Sequence, residues 1–187
     1  GQSAIMAPPP ERAMSIALLS LGSNLEPEAH LRSAIAALRA RFEDVVVSAV
    51  YRFPAVGYDG PDFLNAAATV RTDLDAGALN TWLHALEDAH GRDRSGPRFS
   101  DRTLDIDIVL FDDAVLRGAD NPGSSPGQAL RIPRDELRHA FVLRPAAEIV
   151  PDWRHPVEGA TLAALWDAHP DRRAAFVRVD GLDVAAA

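Results

Sequence analysis

The pattern of apolar and polar residues along the chain predicts several short strands. Residues 15–21 and 63–70 are apolar runs bounded by turn residues, which is typical of strands inside a sheet. Residues 45–53 are rich in β-branched and aromatic side chains and predict another strand, which ends at Pro54. We expect the 63–70 strand to return antiparallel to it, after a loop punctuated by glycine and proline.

Two segments carry apolar residues at helical spacing. The first begins near Pro27, and its apolar face is formed by Leu31, Ile35 and Leu38. The second is capped by Asp75, extends to about residue 89 and ends at Gly91. The order strand, helix, two strands, helix, strand predicts an α+β fold of the ferredoxin-like type. In such a fold the helices cover one face of an antiparallel sheet, and we expect the opposite face to be available.

The last strand of this unit, residues 102–111, carries two carboxylates. Side chains alternate along a strand, so Asp105 and Asp107 share one side. The apolar residues expected on the other side are Leu104, Ile106, Ile108 and Leu110. Two carboxylates so close repel each other and are costly to desolvate, so they require an open cleft, a basic neighbourhood or a divalent cation.

A basic loop directly precedes this strand. Its arginines are Arg92, Arg94, Arg98 and Arg102. Glycine, serine and proline within residues 91–97 indicate the loop conformation. Carboxylates for Mg²⁺ beside guanidinium groups for phosphate oxygens are the parts that a phosphoryl-type transfer needs. The alternatives are a structural network of ion pairs, a polar strand face and a solvated loop.

The C-terminal third of the chain predicts an additional helical and strand segment. Residues 117–128 are rich in glycine, proline and serine and predict a flexible surface loop. A short helical stretch is expected near 135–140, followed by an apolar run at 141–143. A last helix at 161–168 and a strand at 175–179 complete the prediction.

Composition narrows the class of protein. The 187 residues, 47% of them hydrophobic, suit one domain over residues 14–187, with 1–13 expected to be a disordered lead-in or an expression remnant. The net charge of −8 disfavours nucleic acid and anionic membranes as partners, so the local arginines point to a small anionic ligand. Cysteine is absent, which excludes disulfides and thiolate chemistry. We expect a cytoplasmic monomer without a membrane-spanning segment.

A series of motifs lies in order within a stretch from about residue 15 to residue 164. They are Leu21-Gly-Ser-Asn-Leu25, Tyr51-Arg52, Phe63-Leu-Asn-Ala66, Gly91-Arg-Asp-Arg94, Arg102-Thr-Leu-Asp-Ile-Asp107, Ile132-Pro133 and Ala140-Phe-Val-Leu-Arg-Pro145. Together they resemble the 6-hydroxymethyl-7,8-dihydropterin pyrophosphokinases of folate biosynthesis. The resemblance implies transfer of a pyrophosphoryl group from ATP to the hydroxymethyl oxygen of the pterin, with release of AMP and with two Mg²⁺ ions as cofactor.

The resemblance also implies roles for individual residues. Asp105 and Asp107 match the pair that holds both Mg²⁺ ions, and Arg92 and Arg102 match the catalytic arginines. Asn65 matches the amide that reads the edge of the pterin. The pterin-binding positions are Val56, Phe63, Asn65, Phe99 and Phe141. The ATP-binding positions are Arg92, Arg94, Arg98, Arg102, Ile108, Arg131 and Arg134.

The chain departs from the family pattern at three places. Phe99-Ser100-Asp101 stands where the family has Trp-Gly-Pro, and Arg134 stands where it has a histidine that contacts ATP. The segment before Phe141 is one residue short, which leaves open whether Arg138 or His139 takes the next basic position. These departures motivate one alternative, a pterin- or nucleotide-binding protein with weak or no catalysis. A second alternative is a transferase acting on a different pterin alcohol.

Overall fold

The computed structural model describes residues 13–55, 57–91, 103–118, 130–180 and 182. In chain order its elements are β1 (Ser15–Ser23), α1 (Pro27–Arg41), β2 (Glu43–Val47), β3 (Val50–Phe53), β4 (Phe63–Thr72), α2 (Ala76–Ala89), β5 (Asp105–Phe111), β6 (Leu116–Arg117), β7 (Arg131–Ile132), a 3-10 helix (Asp135–Arg138), α3 (Ala140–Ile149), α4 (Leu162–Asp167) and β8 (Val177–Val179). Among the described residues no helix is long and apolar enough to cross a bilayer.

The main sheet is antiparallel throughout. Its strand order is β5-β1-β4-β3-β8, and β2 also pairs with β4. The predicted α+β class is therefore confirmed, whereas the ferredoxin-like assignment stays a prediction. The strand expected at residues 45–53 is divided at Ser48. The Ser48 hydroxyl accepts a hydrogen bond from the Ala67 amide at 2.8 Å, so a side chain replaces the backbone acceptor at this break in the ladder.

Helices α1 and α2 cover one face of the sheet and enclose what we term the helix-side core. Its fully buried side chains include Leu19, Leu21, Leu31, Leu38, Leu79, Leu83, Leu104, Ile106 and Ile108. The predicted cap of α2 is confirmed, since Asp75 Oδ1 accepts a hydrogen bond from the Ala78 amide at 2.7 Å. Gly91, with φ of +80°, lies just beyond the end of α2, in the left-handed region that glycine adopts without strain.

The opposite face of the sheet is less accessible than the order of strands and helices in the sequence predicted. Helices α3 and α4 pack against it, and the resulting second core contains Leu18, Ala67, Val109, Leu110, Val142, Leu143, Ala146 and Leu162. Helix α3 was not predicted, because its sequence is short and contains Pro145, which removes a donor from the helix interior. The part of this face that remains carries the polar residues of β5 and β1.

A β-bulge in β5 corrects one detail of the predicted strand. Leu19 pairs with Ile108 but Leu18 pairs with Leu110, so Val109 is the extra residue. The bulge turns Leu110 away from the helix-side core, and it packs with Leu18 in the second core. The expectation that Leu110 shares a side with Ile108 is therefore wrong, whereas Leu104, Ile106 and Ile108 do lie together.

Candidate active site

One cross-strand row of the sheet brings the two acids and an amide to the same face. Gly22 of β1 pairs with Asp105 of β5 on one side and with Asn65 of β4 on the other. Ser20 pairs with Asp107 in the next row. Directly paired residues share a face of an antiparallel sheet. Because neighbouring strands lie about 4.8 Å apart, the acids and the amide are separated by roughly 10 Å.

The acid pair lies partly buried beside the guanidinium group of Arg134. The Asp107 side chain is only 27% exposed, and one guanidinium nitrogen, Nη2 of Arg134, lies 3.5 Å from Asp107 Oδ1. Desolvation, and then the negative charge of Asp105, raise the pKa of Asp107 well above its ordinary value of 3.8, and Arg134 offsets this only in part. A divalent cation at this position would relieve the repulsion.

Arg134 is held beside the acids by its own backbone. Its amide donates to the Val109 carbonyl at 3.0 Å, which ties the segment after β7 to the bulge in β5. Its Nε lies 3.2 Å from Oε2 of Glu136. Burial by itself lowers the pKa of Arg134, but the carboxylates of Asp107 and Glu136 outweigh it and raise that pKa above its ordinary value. Arg134 is thus a permanent cation at the acid pair.

Asn65 has the properties of a ligand-binding amide. It is 6% exposed, and among the described residues its Oδ1 has no hydrogen-bond partner. Its Nδ2 lies 3.5 Å from the Leu21 carbonyl oxygen, the outer limit of a hydrogen bond. A buried acceptor without a donor costs about 1–3 kcal/mol, so its presence indicates a binding partner with an N–H or O–H group.

Gly22 is required by the close approach of this amide. A Cβ atom at Gly22 would lie 2.8 Å from Asn65 Nδ2 and 3.8 Å from Cδ1 of Phe63. The first distance is shorter than any ordinary contact, so a larger residue would displace the amide. The glycine of the Leu21–Leu25 motif therefore makes room for Asn65 within the row.

Aromatic rings line the same end of the site. Phe53 and Phe63 are directly paired on β3 and β4, and Phe53 meets Phe141 of α3 edge to face with ring centroids 6.3 Å apart. Asn24, which is 3% exposed, donates to the Tyr58 hydroxyl at 2.9 Å and fixes the loop beside these rings. An amide edge flanked by phenyl rings suits a flat heteroaromatic ligand with hydrogen-bonding edges.

The structure brings some of the predicted site residues together and places others elsewhere. It brings Phe63, Asn65, Asp105, Asp107, Arg134 and Phe141 to one face. Arg131 is exposed, and its Nε lies 3.4 Å from Asp135 Oδ1. The Ile108 side chain is 2% exposed in the helix-side core, so only its backbone can reach a nucleotide. The predicted residues that lie outside the described part of the chain are Val56, Arg92, Arg94, Arg98, Phe99 and Arg102, together with most of loop 117–128.

Glu87 is not among the residues predicted from the sequence. This residue of α2 is 2% exposed, and its Oε2 accepts a hydrogen bond from the Ile106 amide at 3.0 Å, between the two acids of β5. It follows Leu79 and Leu83 at intervals of four residues, so it occupies the apolar face of α2. A glutamate at a core position of a helix is the signal that could have identified it.

The acid pair fits Mg²⁺ only together with a further ligand. In the described ranges no group of three or more histidine, aspartate or glutamate side chains could hold a metal ion. Mg²⁺ is commonly bound by one or two carboxylates, water and the phosphates of a substrate, rather than by a cage of protein groups. Two carboxylates on one face match that mode of binding.

Comparison with known proteins identifies the family. A family model described as 7,8-dihydro-6-hydroxymethylpterin-pyrophosphokinase (HPPK) matches residues 18–151. The chain belongs to this family. The resemblance inferred from the motifs is thereby confirmed.

Individual relatives agree with the HPPK assignment. The 2-amino-4-hydroxy-6-hydroxymethyldihydropteridine pyrophosphokinase of a Synechocystis strain is 37% identical over 153 residues, covering 80% of this chain and 73% of the relative. The Pseudomonas aeruginosa protein of the same name is 37% identical over 157 residues, covering 81% and 90%.

A solved structure shares the HPPK fold. Wild-type Plasmodium falciparum HPPK-DHPS with pteroate superposes with a TM-score of 0.64 at 14% identity, over 87% of this chain. The chain spans 45% of that longer protein. At this identity the likeness shows the fold alone.

The charge balance of the acids leads to a stability prediction. Because the pKa of Asp107 is raised in the folded protein, its ionisation opposes folding at neutral pH, and this effect fades as the pH falls through the raised pKa. Asp107→Asn should therefore raise the free energy of unfolding at pH 7 by about 1 kcal/mol. Urea unfolding at several pH values measures this.

The matched control is Asp113→Asn in the exposed turn after β5, which should change stability by less than about 0.5 kcal/mol at every pH. A gain for Asp107→Asn that persists unchanged at acidic pH, or a loss at pH 7, would contradict the assigned electrostatics.

Proposed function

We propose that the chain transfers a pyrophosphoryl group from ATP to 6-hydroxymethyl-7,8-dihydropterin in folate biosynthesis. The hydroxymethyl oxygen forms a bond to the β-phosphorus, the bond from this phosphorus to the oxygen bridging to the α-phosphorus breaks, AMP leaves, and the hydroxyl proton is released. The observation that carries the proposal is the row Asp105, Gly22, Asn65, which presents a phosphate-type and a ring-type site on one face.

Asn65 and the rings form the pterin half of the site. Asn65 Oδ1, which has no hydrogen-bond partner in the described part of the chain, would accept a hydrogen bond from an N–H group on the pterin edge. Phe63 and Phe141 provide ring faces for stacking, and Val56 and Phe99 are included on the strength of the motifs. A buried amide rejects rings that lack the matching donor, because its acceptor would stay unsatisfied.

Asp105 and Asp107 would hold Mg²⁺, and the motifs indicate two ions. Bound there, the metal would neutralise phosphate charge and orient the triphosphate. Arg134 then has weaker attraction to Asp107 and is free to contact a phosphate oxygen, for which a guanidinium is suited by its planar donors. Arg92 and Arg102 are proposed as the arginines that contact the transferred group, on the strength of their motifs.

The roughly 10 Å between acid pair and amide suits a reaction that joins two substrates. With a ring at Asn65 and phosphates at β5, the two reactants would lie side by side on one face of the sheet. The protein therefore contributes mainly by holding the two reactants adjacent and excluding water. We further propose that the chain acts in the cytoplasm, which fits its lack of cysteine. We also propose that it acts as a monomer.

The reaction is tested by its nucleotide product. Incubation with Mg²⁺, ATP and 6-hydroxymethyl-7,8-dihydropterin should produce AMP, measured by chromatography. Asp107→Ala should lower kcat at least about 100-fold while circular dichroism shows a folded protein, because the metal loses a ligand. The control Asp113→Ala should retain normal kcat.

Formation of ADP in place of AMP, or a fully active Asp107→Ala variant, would refute the proposal. AMP formed only with another pterin alcohol in a substrate panel would instead support the alternative substrate.

The steric role of Gly22 gives a second prediction. Gly22→Ala should raise the KM for the pterin about tenfold or more, because the new methyl group displaces the Asn65 amide. The KM for ATP should change little. Steady-state kinetics with each substrate varied in turn measures the two values.

Gly77→Ala in α2 is the matched control, since its added Cβ meets only Asp75 Oδ1 at 3.5 Å and the KM for the pterin should stay unchanged. A Gly22→Ala variant with unaltered pterin KM would show that the amide does not read the ring.

A further inference from the structure

The ring of Phe141 is covered on one face by His139. The two rings are parallel to within 9°, with centroids 5.1 Å apart. Phe141 also contacts Phe53 edge to face. A ligand that stacks on Phe141 must therefore use the ring face that His139 leaves uncovered.

His139 lies at the N-terminal end of α3. Burial and then the charge of Arg138 lower the pKa of His139, Glu136 opposes them, and His169 contributes to the lowering. These neighbours belong to the 3-10 helix and to the turn after α4. Phe53, by contrast, reaches Phe141 from β3 of the sheet. Phe141 is therefore contacted both by His139, from the start of α3, and by Phe53, from the face of the sheet that carries Asn65.

The position of His139 is fixed by the backbone and by the C-terminal segment. Its carbonyl accepts hydrogen bonds from the Leu143 amide at 2.9 Å and the Val142 amide at 3.1 Å, which begin α3. The carbonyl of Arg138 lies 2.8 Å from Nε2 of His169, whose ring stacks on Trp166 at 5.2 Å. His169 and Trp166 lie beyond residue 151, the end of the family match. Residues beyond the family match therefore support the start of α3 in this chain.

We propose that His139 is a positioning residue for the pterin, holding the Phe141 ring from behind so that the pterin stacks on the opposite face. The inference rests on the proposed function of this site. The shortened segment before Phe141 left open whether Arg138 or His139 takes the next basic position. The proposal assigns His139 to the ring half of the site and not to the phosphates. The stacking partners in order are His139, Phe141 and the pterin.

The test compares two substitutions at one position. His139→Ala should raise the KM for the pterin about two- to tenfold, the effect of losing one aromatic stacking contact, while kcat and the KM for ATP stay within about twofold. His139→Phe should restore the pterin KM, because it replaces the ring and not the charge. His155→Ala, at a histidine whose Nδ1 accepts hydrogen bonds within its own turn, should match the parent protein.

Three outcomes would overturn the inference. A higher KM for ATP in His139→Ala would place the residue at the phosphates, a lower KM for the pterin would make it an obstacle, and failure of His139→Phe to restore the KM would exclude stacking. Dissociation constants for fluorescent 6-hydroxymethylpterin are measured in parallel. A parent protein that binds this pterin without forming AMP would refute the proposed transfer, while these constants would still decide the role of His139.

Discussion

The mutual repulsion of Asp105 and Asp107 is the constraint on which the rest of the site depends. Two carboxylates can share one strand face only where the other face of that strand is firmly anchored. Leu104, Ile106 and Ile108 supply that anchor in the helix-side core. Glu87 fixes the intervening amide, and Arg134 offsets part of the charge. The structure thus tolerates an electrostatic cost at the position where a metal and phosphates would remove it.

The second half of the site, at Asn65, also contains an energetically unfavourable feature. The Asn65 acceptor is buried without a donor among the described residues, which is unfavourable until a ligand supplies one. Gly22 has no side chain, which leaves room for this amide. The buried Asn65 acceptor and the repulsion between the two acids are therefore unfavourable features that groups on the two substrates of the proposed reaction would relieve. In the proposed reaction, the register of the sheet would place the ring edge at Asn65 and the triphosphate at β5.

The sequence predicted those features that depend on local alternation and spacing. The shared face of the two acids, the cap at Asp75 and the strands on either side of α1 follow from periodicity alone. The bulge at Val109 could not be foreseen, because it depends on how β1 and β5 pair, and it moved Leu110 into the second core. Helix α3 was missed because Pro145 weakens its local signal. The contacts of Gly22 with Asn65 and of His139 with Phe141 require, respectively, the cross-strand register and the packed start of a helix.

Asp105 and Asp107 are proposed to bind metal together with the nucleotide on the face that carries Asn65. The most direct test of this proposal is a crystal structure with Mn²⁺, a non-hydrolysable ATP analogue and 6-hydroxymethylpterin, with the metal located by anomalous scattering. Metal should be bound by both carboxylates at about 2.1–2.2 Å, with phosphate oxygens completing the coordination and the pterin edge at the Asn65 amide. Metal and nucleotide bound elsewhere, with the two carboxylates free of both, would contradict the proposal.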